Sequence, residues 1–321
     1  MSRLQRWVVA AVASVLCCTA QAQTFPTRAI RIVVPFGAGG VADLTARAVA
    51  QKLGESLGQA VLIDNKPGAG GVAAGDAVAK AEPDGHTLLL MSNGTAVSAG
   101  LFKSLPFDTV RDFAPVSTLA SFDIAIVTAV DSRFRTVGDL VAFARANPGK
   151  LNLGSINIGS TQNLVAELFK TASGADVQIV PFNGTPALIT ALRGGQIDAA
   201  VEILGPVMAQ VDARALRVLV VTGSKRSSVV PEIPTALESG LPALVASSWN
   251  ALAAPAKTPA AVIARLNKDI VAAVNAPDVR KKLQALHVEP QSSSPEQAAG
   301  LLVGEIKRWS EVITRAKIPT Q

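Results

Sequence analysis

The sequence predicts an α/β fold in two domains, each a mostly parallel sheet flanked by helices, with a ligand cleft between them. Three observations predict it. Short β-branched runs alternate with stretches whose apolar residues recur every three or four positions, from residue 30 onward. Several of those runs end in a glycine-rich or polar turn that opens a helix, the sharpest at Gly37-Ala38-Gly39-Gly40. Finally, Ile32-Val33-Val34-Pro35-Phe36 is echoed 146 residues later by Gln178-Ile179-Val180-Pro181-Phe182. Each copy precedes such a turn, which places one element of this kind in each domain.

Residues 1–22 read as a secretory leader. Arg3 and Arg6 form a basic start, Trp7 to Leu16 are apolar, and Ala20-Gln21-Ala22 is a cleavage signal, so the mature chain begins at Gln23. The apolar run is too short to span a bilayer. Leu16 stands before Cys17 where a lipid-anchor site wants a small residue.

Residues 30–34 are the first strand, and Val41, Leu44, Ala48, Val49, Leu53 and Leu57 mark the helix after it. Residues 60–64 are a second strand, 72–81 a helix and 87–91 a third strand. The stretch 112–131 reads as a strand leaving the first sheet for a second one. Thr136 starts a helix that ends at Asn147-Pro148-Gly149, and 151–155 is the next strand. Leu164, Leu168 and Phe169 mark another helix, and Pro186 is well placed at the first position of the helix at 187–192. Strands follow at 199–203 and 216–222. The stretch 246–255 carries the chain back, and 258–275, 276–286 and 295–316 are helical tails on the first domain. Domain 1 is therefore expected from residues 23–122 with 249–321, and domain 2 from 123–248.

Removing the leader leaves 28 basic and 24 acidic side chains, a formal charge of +4, and no cysteine. Disulfides, thiol catalysis and cysteine metal sites are thereby excluded. The mild basic balance suits anionic solutes. It is too scattered for nucleic acid, and the chain has no tyrosine and few aromatics to stack bases. Only His86 and His287 are present, with no nucleophile elbow, zinc-protease motif, phosphate loop or acid cluster at metal spacing. No enzyme activity, metal or cofactor is expected.

One pattern argues otherwise. Gly37-x-Gly39-x-x-Ala42 fits the dinucleotide fingerprint, and Asp64 lies 22 residues beyond Ala42, where a ribose-binding acid would sit. Pro35-Phe36 lengthens the loop before the first glycine, and an exported chain is a poor host for a soluble nicotinamide enzyme. Gly37–Ala42 recurs letter for letter at Gly68-Ala69-Gly70-Gly71-Val72-Ala73, which reads as a shared local geometry.

The alternative is an anion cleft. Helix starts carry unpaired N–H groups and partial positive charge. Polar turns beside them can bind a carboxylate without a full countercharge. The expected ligand-binding residues in the first turn are Phe36, Gly37, Ala38, Gly39, Gly40 and Asp43. Later turns contribute Ser92, Asn93 and Thr95; Asn157, Gly159, Ser160, Thr161 and Asn163; and Phe182, Asn183, Gly184 and Thr185. Ser160 and Thr185 are also natural helix caps, and Asp43, third in its helix, also suits the dipole. Glu202 ends a strand expected to face the cleft. An acid there would repel a plain dianion and suit an ammonium, a hydroxyl or a protonated carboxyl.

The stretch Phe25-Pro26-Thr27-Arg28-Ala29-Ile30-Arg31-Ile32-Val33-Val34-Pro35-Phe36-Gly37-Ala38-Gly39-Gly40 resembles the start of the mature Bug-type extracytoplasmic solute-binding proteins. These are the receptors of tripartite tricarboxylate transporters. Asp64-Asn65-Lys66-Pro67-Gly68, Pro83-Asp84-Gly85-His86-Thr87-Leu88, Asn147-Pro148-Gly149-Lys150-Leu151-Asn152 and Gly194-Gly195-Gln196-Ile197-Asp198 carry the likeness onward, in order. It implies a type II-like periplasmic binding fold that closes on a small carboxylate, held largely by backbone groups of the first glycine turn. It also implies membrane permease subunits as partners; the leader predicts a periplasmic location, and a monomer is expected. His86, Asn157-Ile158-Gly159 and Val201-Glu202-Ile203-Leu204-Gly205-Pro206 depart from the family's usual residues. Ligand choice is therefore not carried over at Glu202.

Overall fold

The computed structural model describes residues 25–227, 230–315 and 317–321; the predicted leader, residues 1–22, lies outside the described residues. The first apolar run forms β1 (Ile30–Val34), and the helical spacing after it forms α1 (Val41–Leu57), which buries Ala46, Val49, Ala50 and Leu53 and stops at Gly58 in left-handed conformation. There follow β2 (Val61–Asn65), a tight turn at Ala69–Gly71, α2 (Val72–Ala79), β3 (Thr87–Ser92), α3 (Asn93–Leu101) and β4 (Phe113–Ala129). Next come α4 (Val137–Ala146), β5 (Leu151–Ile156), α5 (Thr161–Ser173), β6 (Val177–Phe182) and α6 (Thr185–Arg193). The chain continues through β7 (Ala199–Ile203), α7 (Leu204–Asp212), β8 (Leu216–Val221) and β9 (Ser247–Pro255). It ends with α8 (Ala260–Asn275), α9 (Pro277–Ala285), β10 (Glu289–Pro290) and α10 (Pro295–Arg315).

Two helices were not expected. In α3, Ala96, Val97, Ser98 and Leu101 are buried along with its polar start, so the helix shows little apolar periodicity. In α7, Gly205-Pro206 reads as a break, yet Pro206 falls in the first turn, where its missing N–H costs nothing.

The strands form two sheets with the same order. In the first, β1 lies parallel between β2 and β3, and β9 is inserted antiparallel between β3 and β4. In the second, β5 lies parallel between β6 and β7, and β4 is inserted antiparallel between β7 and β8. The long strand β4 serves both sheets. Its residues Phe113 to Asp123 pair with β9, and Ile124 to Ala129 pair with β7 and β8.

The two echoed stretches fall one in each sheet, as the sequence predicts. The counterpart of β1 is β5, whereas the echo of residues 32–36 lies on β6, the counterpart of β2. The echo therefore marks similar chemistry at non-equivalent positions. Nor do the twin hexapeptides share a geometry. In the first copy Gly39 alone takes positive φ, at +83°; in the second Gly70 and Gly71 both do, at +62° and +66°.

Candidate functional site: helix starts around a closed cleft

The carboxyl ends of β1, β3, β5 and β7 open on one seam between the sheets, as ligand clefts in α/β proteins do. Two small cavities lie in it, each enclosing about 20 Å³. Phe36 and Ser92 line both and divide them. The first cavity lies between the Gly68–Gly71 turn and residues 157–160, with Thr95 and Ser98 beside it. The second is walled by Gly37, Gly40, Val41 and Ala42 on one side. Across from them are Thr161, Gln162, Gly184, Thr185 and Ile203, and β9 adds Ser248 and Asn250.

The second cavity is a meeting of helix starts. The caps of α1, α6 and α7 are Gly40, Gly184 and Ile203, and none offers a side-chain cap. Two helix starts there are capped: α5 by Ser160 Oγ, which accepts from Asn163 N–H at 3.1 Å, and α3 by Ser92 Oγ, which accepts from Gly94 N–H at 3.0 Å. Each helix start brings N–H groups that its own helix does not use, together with the positive end of its dipole. No lysine or arginine lines either cavity. The site therefore attracts an anion through backbone donors and hydroxyls.

The seam is shut by direct contact. Gly70 N–H donates to Ile158 O at 2.8 Å, and the Thr161 and Ser248 hydroxyls meet at 3.2 Å. A Cβ on Gly159, whose φ is +81°, would stand 2.9 Å from Gly70 Cα, so this approach needs glycine at position 159. A Cβ on Gly37 would lie 3.2 Å from Asn183 O.

Of the expected residues, Phe36, Gly37, Gly40, Ser92, Thr95, Asn157, Gly159, Ser160, Thr161, Gly184 and Thr185 line one cavity or the other. Ala38, Gly39, Asp43, Asn93, Asn163, Phe182, Asn183 and Glu202 do not. Several of these are braces. Asp43 Oδ2 accepts from Gly39 N–H at 3.0 Å, and both its oxygens accept from Arg47 Nε at 3.0 Å. Burial alone would raise the Asp43 carboxyl. The bonds from Arg47, Gly39 N–H and Asn65, with the charge of Arg47, outweigh it and hold the group below the ordinary aspartate value. Asn163 ties the turn before α5 to Ser155 Oγ at 3.1 Å. Asn93 donates to Ser247 O at 3.2 Å and accepts from Trp309 Nε1 at 2.7 Å. Asp64 pairs with Arg31 at 3.3 Å and lies at neither cavity, so it is not placed to read a ribose beside the Gly37 turn.

Glu202 stands just behind the lining. Its Oε1 accepts from Gln162 Nε2 at 2.8 Å and from Ile203 N–H at 2.7 Å. Its Oε2, fully buried, has no hydrogen-bond partner among the described residues. Burial pushes its carboxyl above the ordinary glutamate value, against the bonds from Gln162 and Ile203 N–H and the influence of the nearby Thr185 hydroxyl.

Four polar lining residues, Ser98, Gln162, Ser248 and Asn250, were absent from the expected set. Gln162 lies between Thr161 and Asn163 in the first turn of α5, where nothing local distinguishes it from them. Asn250 sits inside β9, where a strand pattern gives no hint of a site; it is 1% exposed, and neither amide atom has a partner among the described residues.

A family model described as "Tripartite tricarboxylate transporter family receptor" matches residues 45–318. The chain belongs to this family. Protein BugT of Bordetella pertussis is 36% identical over 301 residues, 92% of each chain. MatC from Rhodopseudomonas palustris, solved with bound malate, shares 32% identity and a TM-score of 0.85, covering 90% of this chain and all of its own. Another R. palustris protein, solved with adipate, shares 32% identity and a TM-score of 0.88, covering 92% of this chain and 99% of its own. Solved periplasmic binding proteins thus share this two-domain architecture, and the receptor belongs with periplasmic, transporter-linked proteins.

Proposed function

We propose that this receptor captures one small carboxylate between its sheets and delivers it to the permease subunits of a tripartite tricarboxylate-type transporter, without chemical change. The observation that carries the reading is the convergence of helix starts from both sides of the seam on a cavity lined by no cationic side chain. Backbone donors and dipoles there complement a carboxylate. Relatives solved with malate and with adipate support the ligand class.

In this reading the carboxylate sits against Phe36–Gly40 and the start of α1. It is enclosed by Ser92, Thr161, Gln162, Gly184, Thr185 and Asn250, and Asp43 holds the turn in shape. The hinge lies where β4 passes from one sheet to the other at Asp123 and Ile124, beside the entry to β9 at Ser247, close to the boundaries expected at 122–123 and 248–249. Cavities of about 20 Å³ hold roughly one water each. A ligand of several heavy atoms therefore enters by opening this hinge. Both walls come from one chain, which supports a monomer. Residues 1–22 act as a cleavable export leader.

The test is a thermal-shift and calorimetric screen of mono-, di- and tricarboxylates against the mature chain. One acid or a narrow group should raise the melting temperature as RT ln(1 + [L]/Kd) and be recovered unchanged. No shift with any acid would refute the reading.

A further inference from the structure

We infer that Glu202 is protonated in the filled cleft and donates its Oε2 hydrogen to a second acceptor group of the ligand, so that the receptor takes a dicarboxylate together with a proton. This rests on the reading that an acid fills the second cavity.

The placement comes first. Glu202 precedes Ile203, the cap of α7, and is bonded to Gln162 on α5, with the Thr185 hydroxyl of α6 close by. Ile203, Gln162 and Thr185 all line the second cavity. Glu202 therefore lies behind the wall opposite the start of α1, hydrogen-bonded to two of the residues that form it.

The hydrogen-bond inventory comes next. Oε1 receives two donors, which fills the acceptor capacity of a carboxyl C=O. Oε2 is the buried atom left over. As a hydroxyl it needs an acceptor, and the two groups bonded to Oε1, the Gln162 amide N–H and the Ile203 N–H, are both donors. A ligand carboxylate reaching from the α1 side supplies that acceptor. Asn250, with its amide unpaired, supplies a further donor.

The charges around Glu202 agree. Its register partner on β4 is Ala125, and the groups acting on its carboxyl are Gln162, Ile203 N–H and Thr185, all neutral. The charged side chains of the packed elements are Asp123 on β4, Glu167 and Lys170 on α5, Arg193 on α6 and Asp212 on α7. None of them figures among those influences. An isolated carboxylate buried this way is costly. A second anion held close to it adds repulsion that only a proton on Glu202 relieves.

The test uses the mature chain, with malate and adipate as dicarboxylate probes and butyrate and hexanoate as monocarboxylates of matching length. Affinity for the tighter dicarboxylate is measured from pH 5 to 9. In the wild type it should fall toward the high end, approaching tenfold per pH unit once free Glu202 ionises. Calorimetry in buffers of different ionisation enthalpy should show proton uptake there. Glu202→Gln, which carries a fixed N–H donor, should bind the dicarboxylate within about threefold of the wild type at pH 7, with no pH dependence. Matching monocarboxylates should bind at least tenfold more weakly to both proteins.

Flat wild-type affinity across this range overturns the inference. So does a loss of tenfold or more in Glu202→Gln while its circular dichroism stays native, since that marks an ionised Glu202 holding an ammonium or hydroxyl. If no acid binds at any pH, the proposed function itself fails and takes this inference with it.

Discussion

Replacing Asp43 by alanine should cost this receptor stability out of proportion to the side chain's size. The Asp43 side chain is 3% exposed and sits at the third position of α1. Alanine leaves the Gly39 N–H without its acceptor, and a hydrogen bond to a charged group contributes about 1.5–3 kcal/mol. It also removes an acid from the first turn of α1, which contributes about 0.3–1 kcal/mol. The ion pair with Arg47 adds less than about 1 kcal/mol, because the Arg47 side chain is 50% exposed and solvent screens it. These terms overlap, so a loss of about 2–4 kcal/mol is expected. In a chain of this size that lowers the melting temperature by about 4–10 °C. Urea and thermal melts at pH 7 measure it. Asp43→Asn, which retains an acceptor for Gly39, should recover more than half of the loss. The folded carboxyl lies below the unfolded value of 3.8, so its stabilisation is complete above that pH and disappears as the pH falls through the folded value. The gap between wild type and Asp43→Ala should therefore close on acidification. A gap under about 0.5 kcal/mol at pH 7, or one that widens in acid, would refute the reasoning.

Three further outcomes follow from the geometry. Asn250→Ala should weaken binding of the preferred acid about tenfold while leaving urea stability unchanged or slightly raised, since both amide atoms are buried without partners; unchanged affinity removes Asn250 from the site. Gly205→Ala should destabilise the fold by about 1–3 kcal/mol in urea melts, because its Cβ would fall on the backbone oxygen of Leu286, which no rotamer change can move; a neutral result means this close approach is absent in solution. Glu202→Gln, without ligand, should become more stable than wild type as the pH rises above about 4.5. A raised carboxyl loses stability between its unfolded and folded values and the amide does not, so parallel pH–stability curves would contradict the burial of Glu202.

Much of the fold was legible because its strands are short, β-branched and bounded by turn residues, as at Ile30–Val34 and Leu216–Val221. What escaped depended on distance or on context. The N–H of Trp309 reaches Asn93 across 216 residues, and no local pattern announces that bond. Helix α3 is buried too evenly to show a face. The twin hexapeptides diverge because their surroundings do: Asp43 draws back the Gly39 N–H in one, and Ile158 O receives the Gly70 N–H in the other. The anion site was legible as a kind of place, a set of strand ends opening helices. Its members were less so. Identical-looking turn residues split into lining groups such as Ser92 and Thr161 and braces such as Asn93 and Asn163, according to which neighbour the third dimension supplied.

The insertion of β9 sets an order of events for a chain that becomes available from its N-terminus onward. The first sheet has β1, β2 and β3 early, but the partner joining β3 to β4 arrives only with residues 247–255. Until then β3 and the first stretch of β4 present open edges, which invite pairing with other chains. The second sheet needs nothing beyond β8 at Val221 to complete its strand order. The later half of the cleft can therefore mature before the earlier half. The C-terminal segment that closes the first sheet also brings Trp309 onto α3 beside Ser92. Truncation near the C-terminus would thus strike the oldest part of the molecule first.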